Sequence, residues 1–379
     1  MSGRNHNELR IGFVPLLDAA PIIAAYELGY FSDEGLSVSL DRQIGWGNVR
    51  DKLTFGHLQA SHALLGMPAA SVMGWPRYLE PLVGLVSLGF GGNAIAVSKR
   101  LSDAGVNNAT TLGEWIRQLP RGEARPVLAH TFDSSTHHYL LRDWLAMGEV
   151  NPDRDVRLCV LPPPQMVGQL CKGYLDGFCV GEPWSTAAQS AGCGTIVTVT
   201  TDLVPEHPEK LLAVTRKWLN ENPEIAQRVV RAMLRVGEFC EDVGNRVRLT
   251  EILAQPNYLD VEPETLLQSF VTGDGAGSMR NRGQRKISRA YGVSAAGMFP
   301  SGMHVAWLLS QMKRWGHLPA NADVRSIAEE SIDSTAYRAV AGTMGVVCPA
   351  NDFPPMRLRE GWFSVESAEK QTGDLLAAK

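Results

Sequence analysis

The chain has 379 residues, of which 44% are hydrophobic and 20% are charged, and its formal net charge is −4. This composition is typical of a globular protein with enough apolar material for two cores, and it excludes the overall basic field that attracts nucleic acid. Glycine, proline or a charged residue interrupts every apolar run before it reaches membrane-spanning length, so we expect no insertion into a membrane.

Two features of the sequence predict a cytoplasmic protein. The residues before Leu9 are polar, whereas an export signal would place a basic patch, an apolar run and a small-residue cleavage site there. The cysteines show neither C-x-x-C spacing nor histidines at metal-ligand intervals. We therefore expect reduced structural thiols and no metal site at Cys159, Cys171, Cys179, Cys193, Cys240 and Cys348.

The first part of the chain alternates between strand and helix patterns. A β-rich stretch covers 9–16, Asp18 and Pro21 mark a helix start, and Gly29 ends that helix. Further strands are predicted at 36–40, 60–65, 81–88 and 93–98, with a helix at 45–55. Strands that alternate with helices predict a parallel sheet covered on both faces.

The middle of the chain repeats this alternation, with predicted strands at 125–132, 156–162, 177–183 and 194–200 and helices at 134–148, 165–175 and 184–192. Long amphipathic stretches follow, such as 223–243 and 304–316. We predict one lobe from residues 1–98 and 214–379, including the C-terminal helices, and a second lobe from 99–213. The cleft between them is the expected binding site.

Catalytic motifs are absent from the sequence, which contains no nucleophile elbow, P-loop, H-E-x-x-H motif or dinucleotide fingerprint. The glycine-rich segment 89–92 precedes a predicted strand rather than a helix, which disfavours a phosphate cradle. We expect a binding protein without a cofactor. A glycine-rich stretch with basic residues at 280–289 is expected to be a solvated loop, with a nucleic-acid or partner contact as the alternative.

Polar residues at the predicted starts of helices and strands are the candidate binding residues. Helix N-termini that face a cleft favour anions. Trp46 and His137 lie at helix starts, and Lys210 precedes an apolar strand. Each has a structural alternative, namely a buried aromatic anchor, a capping or core histidine and a surface lysine. Glu182, next to Pro183, fits helix capping, cation binding or contact with the opposite lobe.

Eight ordered blocks resemble the nitrate- and bicarbonate-binding proteins of ABC transporters, the NrtA and CmpA type. The likeness runs from about Leu9 to about Asp352, and the blocks are LRIGFVPLLDAAPIIAAYELGYFSDEGL, GWGNVRDKL, STHHYLLRDWL, NPDRDVRL, PPPQMVGQL, DGFCVGEPW, EHPEKLLAVT and WLLSQMKRWG. The resemblance implies an α/β type II periplasmic-binding-protein fold, with two lobes, two crossover segments and an anion in the cleft.

The resemblance also implies a ligand set, because nitrate binders of this family use a tryptophan, a glutamine, a histidine and a lysine. Trp46, His137 and Lys210 match three of these, and the glutamine position falls at the shorter Asn93. Lys210 would supply the counter-charge for nitrate or nitrite, and the other three side chains would supply N–H donors. Bicarbonate would need an acceptor for its proton. A supporting layer is expected from Glu182, Pro183 and His138.

A chain of this family without an export signal is similar to the cytosolic nitrate and nitrite sensors of the NasS type. The resemblance implies that the sensor sequesters an RNA-binding antiterminator of the ANTAR type, NasT-like, and releases it when the anion binds, without contacting nucleic acid itself. One alternative is the substrate-binding component of a nitrate or bicarbonate ABC transporter. Another is a pyridoxal-phosphate-binding thiamine-pyrimidine synthase, but the sequence lacks the cysteine-rich run of those enzymes.

Overall fold

The computed structural model describes residues 8–75, 78–120, 122–205, 207–270 and 296–366. The basic stretch 280–289 lies outside the described residues. The strands are β1 Glu8–Phe13, β2 Ser37–Arg42, β3 Ala60–Leu64, β4 Leu82–Ser87, β5 Asn93–Ser98, β6 Val127–His130, β7 Arg157–Val160, β8 Gly177–Gly181, β9 Gly194–Val199, β10 Lys210–Thr215, β11 Met356–Leu358 and β12 Gly361–Phe363.

The helices follow the predicted alternation through both lobes and then dominate the C-terminal part. They are α1 Ala20–Glu27, α2 Tyr30–Asp33, α3 Trp46–Thr54, α4 Gly66–Val72, α5 Lys99–Asp103, α6 Ala109–Arg117, α7 Thr136–Met147, α8 Pro163–Cys171, α9 Trp184–Ser190, α10 Arg216–Glu221, α11 Pro223–Glu241, α12 Arg246–Leu253, α13 Pro263–Ser269, α14 Gly302–Arg314, α15 Val324–Ser331 and α16 Thr335–Met344.

Strands β1 to β10 form two five-stranded sheets, and β11 and β12 pair as a separate antiparallel ribbon. Both five-stranded sheets are mixed rather than parallel as the alternation predicted. The first has the order β2-β1-β3-β10-β4, and the second has the order β7-β6-β8-β5-β9. In the first sheet β10 is antiparallel to both neighbours, and in the second β5 is antiparallel to both. The prediction was wrong because β5 and β10 each enter their sheet from the other lobe, without a crossover helix to set a parallel direction.

Two chain crossings join the lobes, one between β4 and β5 and the other between β9 and β10. They run side by side, since Gly91 N donates to His207 O over 2.9 Å and Phe90 forms a β-bridge with Pro208. The predicted lobe boundaries remain a prediction, but strand pairing assigns residues 93–98 to the second sheet and 210–215 to the first.

The C-terminal helices pack on the first sheet and also reach the second lobe. Helices α11, α12 and α16 cover one face of the first sheet together with α1. Helix α14 contacts α7 of the second lobe, and Tyr139 and Leu140 share an apolar cluster with Trp307 and Leu308. A further apolar cluster contains residues of both lobes, including Trp46 and Phe178. The two lobes are therefore packed against each other.

The expectation of six reduced cysteines is wrong for two of them, because Cys171 and Cys193 form a disulfide. Their sequence separation of 22 residues gave no motif, but α8 and α9 pack together and bring the two Cα atoms to 5.0 Å. The other four cysteines are free. Within the described ranges, no helix is both long enough and apolar enough to cross a membrane.

The contact between Gly66 and Ser134 leads to a test of how closely the lobes pack in solution. A Cβ atom on Gly66 would lie 2.0 Å from the backbone oxygen of Ser134 in the other lobe. We expect Gly66→Ala to lower the free energy of unfolding by about 1–3 kcal/mol, as overpacking does, measured by denaturant unfolding.

The matched control is Gly168→Ala, because Gly168 lies inside α8 with no atom near the position of its Cβ. We expect this variant to raise the free energy of unfolding by about 1 kcal/mol through helix propensity alone. If Gly66→Ala is as stable as the unaltered chain, the lobes in solution lie further apart than this structure shows.

Candidate functional site

The candidate site lies at the edge of the two sheets where the crossings meet. The parallel strands of each sheet end at this edge, and the antiparallel strand of each sheet begins there. In the first sheet Lys210, which begins β10, pairs with Leu64 at the end of β3. In the second sheet Asn93, which begins β5, pairs with Gly181 at the end of β8. In α/β folds, the loops that follow the parallel strands at such an edge form the ligand crevice. The first residues of β5 and β10 therefore face the same crevice as those loops.

The fold brings the four predicted ligand residues to this edge. Trp46 begins α3, His137 lies in the first turn of α7, and Asn93 and Lys210 begin β5 and β10. All four are buried, and Asn93 is the most exposed of them at 3%. The alternative of a surface lysine is therefore wrong for Lys210.

Lys210 is held by two carboxylates in the interior. Its Nζ lies 2.8 Å from Asp18 Oδ2 and 2.7 Å from Glu209 Oε2. The same Nζ lies 5.8 Å from the centroid of the Trp46 ring. The group formed by Asp18, Glu209 and Lys210 therefore carries one negative charge when the neighbouring histidines are neutral. The sequence analysis instead expected Lys210 to be a free cation.

The ion pairs among Lys210, Asp18 and Glu209 shift the pKa values of these groups more strongly than their burial does. Burial acts to lower the pKa of Lys210, yet the carboxylates of Asp18 and Glu209 raise it. Burial acts to raise the pKa of Asp18 and of Glu209, but Lys210 together with neighbouring histidines holds both below their ordinary values. All three groups are therefore charged at neutral pH.

His62 connects this group to Trp46. Its Nε2 lies 2.9 Å from Asp18 Oδ1, and its Nδ1 accepts a hydrogen bond from Val14 N over 3.4 Å. The ring of Trp46 packs edge-on against that of His62, with the centroids 5.1 Å apart. Because Nδ1 is an acceptor, the single proton of a neutral His62 lies on Nε2 and points at Asp18.

A second network extends from Glu209 to Asn93 through the crossing segment. Glu209 Oε1 lies 3.1 Å from His207 Nδ1, and His207 Nε2 lies 2.7 Å from Thr200 Oγ1. Thr200 Oγ1 in turn donates to the backbone oxygen of Asn93 over 2.9 Å. Residues of the β9–β10 crossing thus connect the ion pairs of the first lobe with a strand of the second lobe.

His137 reaches the same region from the second lobe. Thr131 Oγ1 lies 3.1 Å from His137 Nδ1, while Nε2 lies 3.7 Å from Glu209 Oε2, beyond hydrogen-bond distance. Burial lowers the pKa of His137 to about 3, so the ring is neutral near neutral pH. If Thr131 donates to Nδ1, His137 presents its Nε2–H toward the crevice.

Several buried polar atoms at this edge have no hydrogen-bond partner among the described residues. They include Trp46 Nε1, both amide atoms of Asn93 and His137 Nε2. Buried polar groups in native proteins are almost always paired, and leaving one unpaired costs about 1–3 kcal/mol. Unpaired groups from three separate elements at one edge are therefore typical of a site whose partner is a ligand.

The backbone at Gly181 lies close to two of these groups. A Cβ atom on Gly181 would lie 3.2 Å from Asn93 Oδ1 and 3.8 Å from His137 Nε2. A side chain at this position would therefore crowd both polar groups, and glycine lets the backbone of β8 approach them closely.

The three residues expected in a supporting layer differ in their positions. Glu182 and Pro183 follow β8, and Leu17 N donates to Glu182 O across the lobes over 2.7 Å. The Glu182 carboxylate accepts a hydrogen bond from Thr186 N over 3.0 Å, as helix capping predicted, and burial raises its pKa to about 7. His138 lies outside the crevice and lines a separate open cavity instead.

His138 belongs to a group of side chains that could be mistaken for a metal centre. One ligand atom each from His130, Asp133 and His138 lies within 4.8 Å of the others. The rings of His130 and His138 are stacked, with centroids 4.1 Å apart and planes 4° apart. A metal ion lies close to the plane of each imidazole that binds it, so parallel stacked rings do not share one ion. We assign no metal to this group.

The sequence analysis missed four residues of the site, which are Asp18, His62, His207 and Glu209. Asp18 was noted only as a helix start, although an acidic residue after a predicted strand lies at the edge where ligands bind. The segment EHPEK contains two of the others and was used only for its lysine. His62 occupies a strand interior, where no local pattern distinguishes it from a core residue.

Comparison with known proteins identifies the relatives of this chain. It is 33% identical over 319 residues to the nitrate import ATP-binding protein NrtC of Synechocystis, and the match covers 84% of this chain and 47% of NrtC. The chain thus spans about half the length of the first relatives it matches. It is also 30% identical over 380 residues to the nitrate/nitrite binding protein NrtA of Synechocystis, covering 96% of this chain and 83% of NrtA.

The solved structures show the same relationship. The crystal structure of the periplasmic nitrate-binding protein NrtA from Synechocystis PCC 6803 matches with a TM-score of 0.87 and 27% identity, covering 98% of this chain and 99% of that one. The predicted periplasmic-binding-protein fold is thereby confirmed. Residues 2–254 match the NMT1-like family. The chain therefore belongs to the NMT1-like family, in the branch that contains the NrtA nitrate-binding proteins.

Proposed function

We propose that this chain binds nitrate or nitrite in the crevice between its lobes, without chemical conversion. The observation that carries the proposal is the set of buried, unpartnered polar atoms on Trp46, Asn93 and His137. Their elements come from both lobes, so a ligand that pairs with all of them also holds the lobes together. The names of the NrtA relatives, which are nitrate/nitrite binding proteins, agree with this ligand class.

The donors suit a small planar anion. The indole of Trp46, the amide of Asn93 and the Nε2–H of His137 are N–H donors of the kind that nitrate oxygens accept. Lys210 lies next to the Trp46 ring and attracts the anion through its positive charge. It stays paired with Asp18 and Glu209 when the anion binds. Hydrogen bonds to a charged group contribute about 1.5–3 kcal/mol each, so three donors support affinity in roughly the micromolar range.

Bicarbonate is the competing anion, because one relative is a bicarbonate transport protein, CmpC, with 32% identity to this chain. Bicarbonate carries a proton and needs an acceptor. Acceptors are present at the site, because Asp18 Oδ1 and Glu209 Oε1 have no hydrogen-bond partner among the described residues. The proposal of nitrate or nitrite therefore rests on the unpaired N–H donors and on the names of the NrtA relatives, and the comparison of the three anions in solution tests it.

For the biological role, we propose a sensor that sequesters an ANTAR-type antiterminator and releases it when the anion binds. The resemblance of the sequence to the NasS type supports this role. Its physical basis is that one anion contacts both lobes, so a partner that recognises a more open arrangement must bind more weakly to the loaded form. The cytoplasmic location expected from the sequence is part of this proposal.

A second candidate role is the substrate-binding component of a nitrate transporter. The names of the NrtC and NrtA relatives favour it, and so does the Cys171–Cys193 disulfide, because disulfides persist mainly outside the cytoplasm. The anion site is the same in both roles. The two roles differ in whether the chain binds an antiterminator.

Asn93→Leu tests whether the unpaired amide is kept for a ligand. Leucine has the same branched skeleton of side-chain heavy atoms as asparagine but no polar atoms, so this substitution removes a buried unpaired group that costs about 1–3 kcal/mol. We expect the free energy of unfolding to rise and nitrate affinity to fall roughly 10- to 100-fold, measured by denaturant unfolding and calorimetry.

The control is Asn222→Leu, because the amide of Asn222 donates to Trp218 O over 2.9 Å and lies between α10 and α11, beyond the end of β10 that is opposite the crevice. We expect this variant to keep its nitrate affinity and to gain no stability. If Asn93→Leu loses stability and keeps its affinity, the amide has a structural role that the distances do not show.

Lys210→Met tests the charge at the centre of the site. We expect nitrate affinity to fall by at least about tenfold, because the buried cation is lost while the methionine keeps most of the volume. The unfolding temperature should also fall, since Asp18 and Glu209 then lack their cation. Lys52→Met is the control, because Lys52 forms a partly exposed ion pair with Asp41.

Calorimetric titration of these two variants and the unaltered chain with nitrate, nitrite and bicarbonate separates the candidate ligands. Saturable nitrate or nitrite binding that is lost only in Lys210→Met agrees with the proposal. Binding of bicarbonate alone would show that the chain is a bicarbonate binder and not a nitrate binder. Binding of none of the three anions would contradict the proposed function.

The sensor role predicts that the chain forms a complex with the antiterminator and that nitrate makes this complex dissociate. We expect the purified chain and an ANTAR-type antiterminator to co-elute in size-exclusion chromatography without nitrate and to separate when nitrate is added. With Lys210→Met, the complex should persist at the same nitrate concentration. If the two proteins elute separately under both conditions, the sensor proposal is wrong and the transport role is favoured.

A further inference from the structure

The loop between β6 and α7 places the hydroxyl of Thr131 against the ring of His137. Thr131 directly follows β6, and its Oγ1 lies 3.1 Å from His137 Nδ1. The loop is itself held in place, because Ser135 Oγ donates to Phe132 O over 2.6 Å and accepts a hydrogen bond from His138 N over 3.2 Å, which caps α7. The position of the hydroxyl relative to the imidazole is therefore set by a fixed turn.

The hydroxyl hydrogen of Thr131 indicates which nitrogen of His137 carries the ring proton. Burial lowers the pKa of His137 to about 3, so the ring is neutral near neutral pH and has one N–H. Among the described residues, His137 Nδ1 is the only hydrogen-bond partner of Thr131 Oγ1, and Thr131 is only 2% exposed. If Nδ1 carried the proton, the hydroxyl would accept it and would leave its own hydrogen buried without an acceptor, which is rare in native proteins. The hydroxyl therefore donates to Nδ1, and the ring proton lies on Nε2.

The charge near Nε2 favours the same tautomer. His137 Nε2 lies 3.7 Å from Oε2 of Glu209, whose carboxylate stays ionised despite its burial because Lys210 lies beside it. A lone pair on Nε2 would face this negative charge, whereas an N–H directs its positive end toward it. The distance is too long for a hydrogen bond, and Nε2 has no partner among the described residues. The N–H therefore remains available to a ligand.

We propose that Thr131 is a positioning residue of the anion site, whose hydroxyl holds His137 as a hydrogen-bond donor to the anion. This inference rests on the proposed function and adds the reason why His137 donates. The indole of Trp46 and the amide of Asn93 carry N–H groups in any surroundings, whereas a neutral imidazole can present either an N–H or a lone pair at Nε2. Thr131 removes this choice. The Nε2 position therefore suits an oxygen that accepts, as in nitrate or nitrite, and not an O–H group such as that of bicarbonate.

The tautomer can be measured directly from the ¹⁵N NMR signals of the His137 ring, assigned among the nine histidines by their loss in His137→Gln. We expect the unaltered chain to show a ring protonated at Nε2, both before and after nitrate is added, and we expect the Nε2–H signal to shift as nitrate binds. A ring protonated at Nδ1 would overturn the inference, and so would an Nε2–H signal that does not move while nitrate binds.

Thr131→Val removes the hydroxyl but keeps the branched shape of the side chain. Without this donor the ring of His137 is free to turn about its Cβ–Cγ bond, so its N–H is no longer directed at the anion. We expect nitrate affinity to fall about tenfold in calorimetry and the ¹⁵N signal of Nδ1 to shift. Thr131→Ser keeps the hydroxyl and should bind nitrate as tightly as the unaltered chain. Equal weakening in Thr131→Ser would overturn the inference, because the methyl group and not the hydroxyl would then be needed.

Thr250→Val is the matched control, because Thr250 is also buried but lies on α12, and its Oγ1 has no hydrogen-bond partner among the described residues. This variant should keep the nitrate affinity and the His137 signals of the unaltered chain. If Thr131→Val and Thr250→Val bind nitrate equally well, the inference is wrong and the proposed function stands. If the unaltered chain binds no nitrate, the proposed function itself is contradicted.

Discussion

The burial of Lys210 between Asp18 and Glu209 is the interaction on which the site depends. An isolated ammonium in the interior would be very unfavourable, and the two carboxylates compensate for its lost hydration. The arrangement places the first residue of β10 at the edge where the two crossings meet, next to Trp46 and within reach of the second lobe.

The candidate site contains groups that cost stability unless a ligand pairs with them. Unpaired atoms on Trp46, Asn93 and His137 are unfavourable in the empty protein, and a sequence selected for stability alone would replace them with apolar groups. A ligand that pairs with all three offsets this cost and contacts both lobes at once. The same observation explains why the binding role can be argued from the chain itself, before any relative is considered.

Much of the fold could be predicted from the sequence, because the strands from β1 to β9 show clear apolar runs separated by helix starts. The mixed sheets could not, since strand direction depends on where the chain crosses between lobes. The disulfide also depends on the packing of α8 and α9. At the site, Trp46, His137 and Lys210 were candidates from their places at predicted helix and strand starts, Asn93 came from the family resemblance, and the structure brings all four to one edge. Asp18 was missed as a partner of Lys210 because an ion pair between distant segments leaves no local pattern. Glu209 was missed because adjacency in a strand normally sends two side chains to opposite faces and so does not predict an ion pair.

The most direct test of the account is the NMR signal of the Trp46 indole N–H, assigned by comparison with Trp46→Phe among the nine tryptophans of the chain. The account predicts that nitrate shifts this signal in a saturable manner, as expected for a buried donor that gains its missing partner, and leaves the signal of the exposed Trp362 unchanged. A Trp46 signal that does not move while calorimetry reports nitrate binding would contradict the central claim, because the anion would then bind somewhere else.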